Sequence, residues 1–167
     1  LIKYQADVQF AKQFPNMEYV VAQTGSLVRE DYQAGEFDKI VVSKLINIAN
    51  QNGVKLKEHN ADYLTREQIL QRKQAGVHAL NIAPQLGVVQ TKTILQLADQ
   101  QGVNTTAFKN CVLNSNKWAK WHIDCDDLTK VYIAGHYCFK TPEYLDLVEQ
   151  LDYKPAVKTA ITCILDL

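Results

Sequence analysis

The sequence predicts an α/β fold of parallel β/α units, half of a (β/α)8 barrel. Three observations lead there. Short apolar stretches alternate with segments of helical periodicity, helices close on Asn52-Gly53, Gly76 and Gly102, and the strands end on polar residues. Strands separated by helices must run parallel, and both faces of such a sheet must be covered.

Val8, Phe10, Ala11 and Phe14 suit a first helix that stops before Pro15. "MEYVVAQTG" then reads as a buried strand. From Phe37 to Asn52, residues Ile40, Val41, Leu45, Ile48 and Ala49 recur at helical spacing, and Gly53 supplies a left-handed end. "VKLKEH" is a second strand. Thr65 with Gln68 three positions on makes a capping box, and Ile69, Leu70 and Ala75 carry that helix to Gly76. "VHALNIAP" is a third strand, followed by a helix from about Val89 to Gln101. A longer helical segment passes through Trp118 and Trp121, whose spacing suits packing on one face. "KVYIAGHYCF" reads as a fourth strand, and Thr141-Pro142-Glu143 starts another helix with proline at its favoured first position.

An eight-unit barrel needs about 250 residues, so 167 residues with four strands make an open doubly wound sheet or half a barrel. No G-x-G-x-x-G or G-x-x-x-x-G-K follows a strand, which favours the half-barrel. The whole chain, 1–167, reads as a single domain of four β/α units without an internal boundary.

With 18 basic and 18 acidic residues the net charge is zero, which gives no footprint for nucleic acid. The apolar runs are far shorter than the ~18 residues of a membrane span. Cys111, Cys125, Cys138 and Cys163 show no C-x-x-C spacing, and no signal-peptide pattern stands at the start, so a reduced, cytoplasmic protein is expected. The chain begins at Leu1 inside what already reads as a helix, which suits a fragment.

Chemistry in parallel β/α folds gathers at the carboxyl ends of strands. Here these are Gln23-Thr24-Gly25-Ser26, Glu58 to Tyr63, Asn81 to Gln85, and Gly135-His136-Tyr137. His59, Asp62, Asn81 and His136 together suit a pocket for a polar ligand, with Asn60 and Thr24 as further contacts. Each has a plainer reading. His59 suits a metal ligand or general base and equally a hydrogen-bonded structural residue; Asn60 and Asp62 suit helix capping; His136 suits a packed strand. His122 and Cys125 with Asp124, Asp126 and Asp127 do not make a closed ligand set and read as a solvated loop.

"KEHNADYLTREQILQRKQAGVHALNIAPQLGVVQTKTILQL" resembles the non-catalytic Z-type subunit family of class II tagatose-bisphosphate aldolases, with His59, Asp62, Tyr63, Gly76 and Pro84 as its more specific marks. "EYVVAQTG" resembles the preceding strand, and "CVLNSNKWAKWH" with "PEYLDLVEQL" the family's C-terminal helices. The similarity runs over nearly the whole chain but only the second half of the family's barrel. It implies an accessory role beside a catalytic aldolase subunit, or self-association, in galactitol or N-acetylgalactosamine catabolism.

The related zinc-dependent aldolases carry a zinc-binding His, then Gly-Gly-Ser-Gly, then a Gly-x-x-Lys-x-Asn strand. The resemblance lays these on His59, residues 60–63, Gly76 and Asn81. Asn60, Ala61, Asp62 and Tyr63 thus replace the phosphate loop, and Pro84 replaces a threonine. Gln23 to Ser26 stand where a second zinc-ligand His is expected. Asn81 stands, as an asparagine does in the active aldolases, where the Z family is expected to have Lys. If the chain is instead catalytic, the resemblance implies zinc on His59, a hydroxyl or carbonyl oxygen of a sugar-phosphate substrate held by Asn81, and proton transfer by Asp62. A third reading is a binding module with no aldolase role, its open sheet edges inviting a partner.

Overall fold

The structure, a computed structural model, describes residues 16–29, 31–121 and 124–166. The helix expected before Pro15, and His122, lie outside them. The chain divides into two compact units, one from residues up to Val28 with Gln33–Ile82, the other from Arg29–Tyr32 with the residues from Ala83 onward.

The first unit contains the parallel sheet. In chain order come β1 (Tyr19–Ala22), the two-residue strands β2 (Val28–Arg29) and β3 (Tyr32–Gln33), which pair with each other, then α1 (Lys39–Gln51), β4 (Lys55–Glu58), α2 (Arg66–Ala75) and β5 (Ala79–Leu80). The larger sheet has the order β1-β4-β5, every pair parallel, with Ala22 opposite Glu58 and Glu58 opposite Leu80. β4 is therefore the central strand, and the alternation of strand, helix and strand read from the sequence is the β/α pattern found.

Local chemistry explains the boundaries. The Asp38 carboxylate accepts from the N–H groups of Ile40 (2.8 Å) and Val41 (3.1 Å), starting α1. Thr65 and Gln68 form the expected capping box, and Gly76 ends α2 at φ 92°. Val42, Ile46 and Ala49 of α1 bury against Val54 and Leu56, with Val20 and Ala22 packed on the same side. Full burial of one such aliphatic side chain contributes about 1.5–3 kcal/mol. Not every apolar position turns inward: Ile40, Val41 and Ile48 are exposed because the buried stripe of α1 runs through Val42, Ile46 and Ala49, and Leu70 of α2 is exposed as well. Side chains alternate along a strand, so Tyr19 and Val21 leave the face opposite α1. They remain 36% and 54% exposed.

The second unit is helical over its long stretch: α3 (Pro84–Gln100), α4 (Thr106–Asn114), a 3-10 turn (Lys117–Trp121), α5 (Asp127–Ala134), a second 3-10 turn (Gly135–Cys138), α6 (Pro142–Glu149) and α7 (Tyr153–Leu165). "KVYIAGHYCF" is thus helix and 3-10 turn, not the fourth strand expected from its valine, isoleucine and tyrosines. Asp126 decides this by accepting from Thr129 N–H at 2.7 Å, and Val131, Ala134 and Cys138 then fall on one buried helical stripe. Gly135, which reads as a strand-end residue in the sequence, lets this segment approach α3: a Cβ there would lie 2.5 Å from Thr91 Cγ2. The core gathers Ile94, Phe108, Val112, Tyr144 and Leu147, with Phe139 stacked on Tyr144 at 4.6 Å. Trp118 packs on this core, its indole N–H donating to the Leu113 carbonyl at 3.0 Å.

One ion pair ties the sheet to its helix. Glu58, last residue of β4, is fully buried, and Arg72 Nε donates to its Oε1 at 2.8 Å with Arg72 2% exposed. Arg72 also donates to the Gln68 carbonyl at 3.1 Å and stacks 4.5 Å from the Phe37 ring. Removing one partner strands a buried charge, so Arg72→Ala is expected to destabilise the first unit by about 3–5 kcal/mol. A Glu58→Leu, Arg72→Met double variant is expected to recover most of that loss. Urea unfolding of the three proteins measures both effects.

Candidate functional site

The carboxyl ends of β1, β4 and β5 meet in the first unit. Backbone bonds extend the ladder beyond the strands: His59 N–H donates to Ala22 O (3.1 Å), Asn81 N–H to Glu58 O (3.0 Å) and Ala61 N–H to Asn81 O (3.0 Å). This brings Thr24, His59, Asn60, Asp62 and Asn81 into one strand-end cluster.

The cluster has a buried floor and a more open rim. Thr24 is fully buried and Ser26 4% exposed; their hydroxyls lie 3.4 Å apart, and Ser26 Oγ donates to the His59 carbonyl at 2.6 Å. Thr24 therefore supports the loop rather than facing a ligand. Asp62 is 1% exposed. The half-buried His59, Asn60 and Asn81 form the rim. Asn81 Nδ2 stands 3.3 Å from His59 Nδ1. With the amide group in that orientation Nδ1 accepts and Nε2 carries the proton. With the amide turned and Nδ1 protonated, Nε2 has the free lone pair that a base or metal ligand needs.

Gln33 organises the loop, and no signal in the sequence marks it. Its Oε1 accepts from the N–H groups of Leu27 (2.6 Å) and Gly35 (3.3 Å), and its Nε2 donates to the carbonyls of Asn60 (2.9 Å) and Asp62 (3.0 Å). All four bonds that an amide side chain offers are in use. The loop it holds is unusual in its backbone: Asn60 has φ 56° and Tyr63 φ 58°, the left-handed region that glycine enters freely. Asparagine tolerates that region, whereas a tyrosine held there stores about 1–3 kcal/mol of strain. Gly25 and Gly35 are the glycines that this end of the unit needs: a Cβ on Gly35 would collide with the Gly25 carbonyl oxygen, and Gly25 itself holds φ 98°.

His136 does not sit at a strand end. It lies in the 3-10 turn of the second unit, packed so closely on α3 that a Cβ at Gly87 would come within 2.7 Å of its own Cβ, with the Tyr137 ring 4.1 Å away. Burial lowers its pKa below the ordinary imidazole value of 6.5, a weaker opposing pull coming from the Ile133 backbone. Among the described residues no group of three His, Cys, Asp or Glu side chains is placed to hold a metal. A catalytic zinc takes three protein ligands, so His59 lacks the companions such a centre requires there.

No protein family and no curated protein matches the sequence. Among solved structures, the crystal structure of a probable tagatose 6 phosphate kinase from Sinorhizobium meliloti 1021 is similar, with a TM-score of 0.71 at 15% identity over 95% of this chain. The likeness shows a shared fold. The chain spans about half of that protein, 53% of its length. Among the described residues no helix is long and apolar enough to cross a membrane.

Replacing Gln33 by Ala withdraws partners from two carbonyls and two N–H groups, and is expected to lower stability by about 1–3 kcal/mol. Hydrogen exchange of Leu27, Gly35 and Ala61 amides reads whether the loss is centred on this loop. For His136, the unfolded chain binds its proton more readily than the folded one. Its contribution to stability is thus present above pH 6.5 and lost as pH falls below it. His136→Asn is expected to remove that part of the pH dependence, measured by urea unfolding at pH 7.5 and 5.5.

Proposed function

We propose that the chain is a supporting, non-catalytic component of a class II tagatose-bisphosphate aldolase. The loop after β4 carries this reading. In the zinc-dependent aldolases that the sequence resembles, the corresponding loop is Gly-Gly-Ser-Gly, whose backbone N–H groups can approach a substrate phosphate. Here Asn60 and Tyr63 hold left-handed backbone at the first and last of those four positions, where the aldolases have glycine. The loop thus keeps a glycine-like path while filling it with side chains. A buried carboxyl group, Asp62, and the amide of Gln33 occupy its interior. A phosphate dianion meets there a potential negative charge and a tyrosine side chain rather than a ring of free N–H donors.

The likeness to a probable tagatose 6 phosphate kinase supports a place near tagatose phosphate chemistry. The exposed sheet face with Tyr19 and Val21, and the outer edge of β1, which pairs with no further strand among the described residues, offer surface to a catalytic subunit or to a second copy. A catalytic reading has one contact in its favour, the His59–Asn81 pair, which orients an imidazole at the rim. Among the described residues no further donors are grouped to let His59 hold zinc, so no reaction step is assigned to it.

The test mixes the full-length protein with a purified catalytic class II tagatose-bisphosphate aldolase subunit. Expected are co-elution on size exclusion and slower loss of cleavage activity on warming, with no cleavage of tagatose bisphosphate by the full-length protein alone. Cleavage by that protein alone, or failure to co-elute and to protect, would overturn the proposal.

A further inference from the structure

Two of the four cysteines meet in the second unit. Cys111 on α4 and Cys138 at the end of the second 3-10 turn both line an open hollow of about 630 Å³, together with Ser115, Lys117, Thr141 and Glu143. α4 and that turn pack against each other. The two cysteines differ in access. Cys138 is 3% exposed and belongs to the helical core, whereas Cys111 is half-buried, its thiol 3.6 Å from the Thr141 hydroxyl. Cys125 and the exposed Cys163 do not line the hollow.

We propose that Cys111 and Cys138 form a dithiol that small organic disulfides oxidise to an intramolecular disulfide, with Cys111 reacting first and Cys138 resolving the adduct. This is a modification site independent of the aldolase reading.

The order of reaction follows from the surroundings. Burial, joined by the adjoining Cys111 sulfur, pushes the Cys138 thiol up to about 11. Cys138 thus stays protonated at neutral pH and is a poor first nucleophile. Cys111 is the thiol that a reagent entering the hollow reaches. Lys117 and Glu143 both line the hollow, so an incoming reagent meets one cation and one anion beside the sulfur.

In the first step the Cys111 thiol loses its proton to solvent, and the thiolate attacks one sulfur of the organic disulfide. A new S–S bond forms, the reagent's own S–S bond breaks, and one thiolate leaves. Cys138 then gives up its proton and attacks the Cys111 sulfur, releasing the second half of the reagent as thiolate. Two cysteine thiols are oxidised and one organic disulfide is reduced to two thiols, so electrons and protons balance.

Oxidised glutathione is the probe. Full-length protein is incubated with it at pH 8, quenched with an alkylating agent and mapped by peptide mass spectrometry. Expected is a peptide pair joined through Cys111 and Cys138 with loss of both alkylatable thiols. In Cys138→Ala, a core change of small volume, the glutathione adduct is expected to persist on Cys111. A stable adduct on Cys111 in the unaltered protein, or modification confined to Cys163 and Cys125 with Cys111 left alkylatable, overturns the proposal. Because the decisive readout is on the unaltered protein, a poorly folding variant does not blunt it.

Discussion

The buried pair of Glu58 and Arg72 is the constraint on which the first unit depends. Two full charges leave water at the end of the central strand, and desolvating each costs several kcal/mol. Their contact at 2.8 Å offsets part of that, and the Gln68 carbonyl and Phe37 ring engage the rest of the guanidinium. Glu58 Oε2 has no hydrogen-bond partner among the described residues, so the pair is not the most stable filling for this space. What it does is fix position. An apolar residue at 58 could pack in several rotamers, whereas an ion pair has one good geometry. His59 follows immediately in the chain, and its backbone direction is set by the same anchor.

Above that anchor, the strand ends form a cluster in which support and presentation are separated. Thr24 and Ser26 are buried and bonded to each other, Ser26 also donates to the His59 carbonyl, and Gln33 uses every bond of its amide on the backbone. These groups hold the loop. His59, Asn60 and Asn81 are left at the rim, where a partner molecule can touch them. The strained backbone at Tyr63 is retained because surrounding bonds determine it, which is how sparsely populated conformations survive in folded proteins.

Much of the fold was legible where a local rule has a single structural answer. Thr65 with Gln68, Gly76 and Pro142 each mark a helix end, and the structure has an end at each. The three-strand alternation was legible for the same reason. "KVYIAGHYCF" was not, because its β-branched and aromatic residues suit either element, and the choice rested on the Asp126 cap and on whether α3 could accept Gly135 at close range. His136 was consequently read into the site although it packs in the helical unit. The convergence of His59 and Asn81 was legible from the parallel register, since both follow paired strands. Gln33 was not, because its role depends on long-range contacts with residues 27 and 29 positions further along the chain.

β5 is only two residues long and stands at the border of the sheet. A neighbour seeking to extend the sheet there by backbone pairing finds almost no ladder to climb, so adhesion on that side has to come from side chains. Indiscriminate zipping of one molecule onto the next is thereby discouraged, and any companion that does settle must recognise a surface, which demands a matching shape.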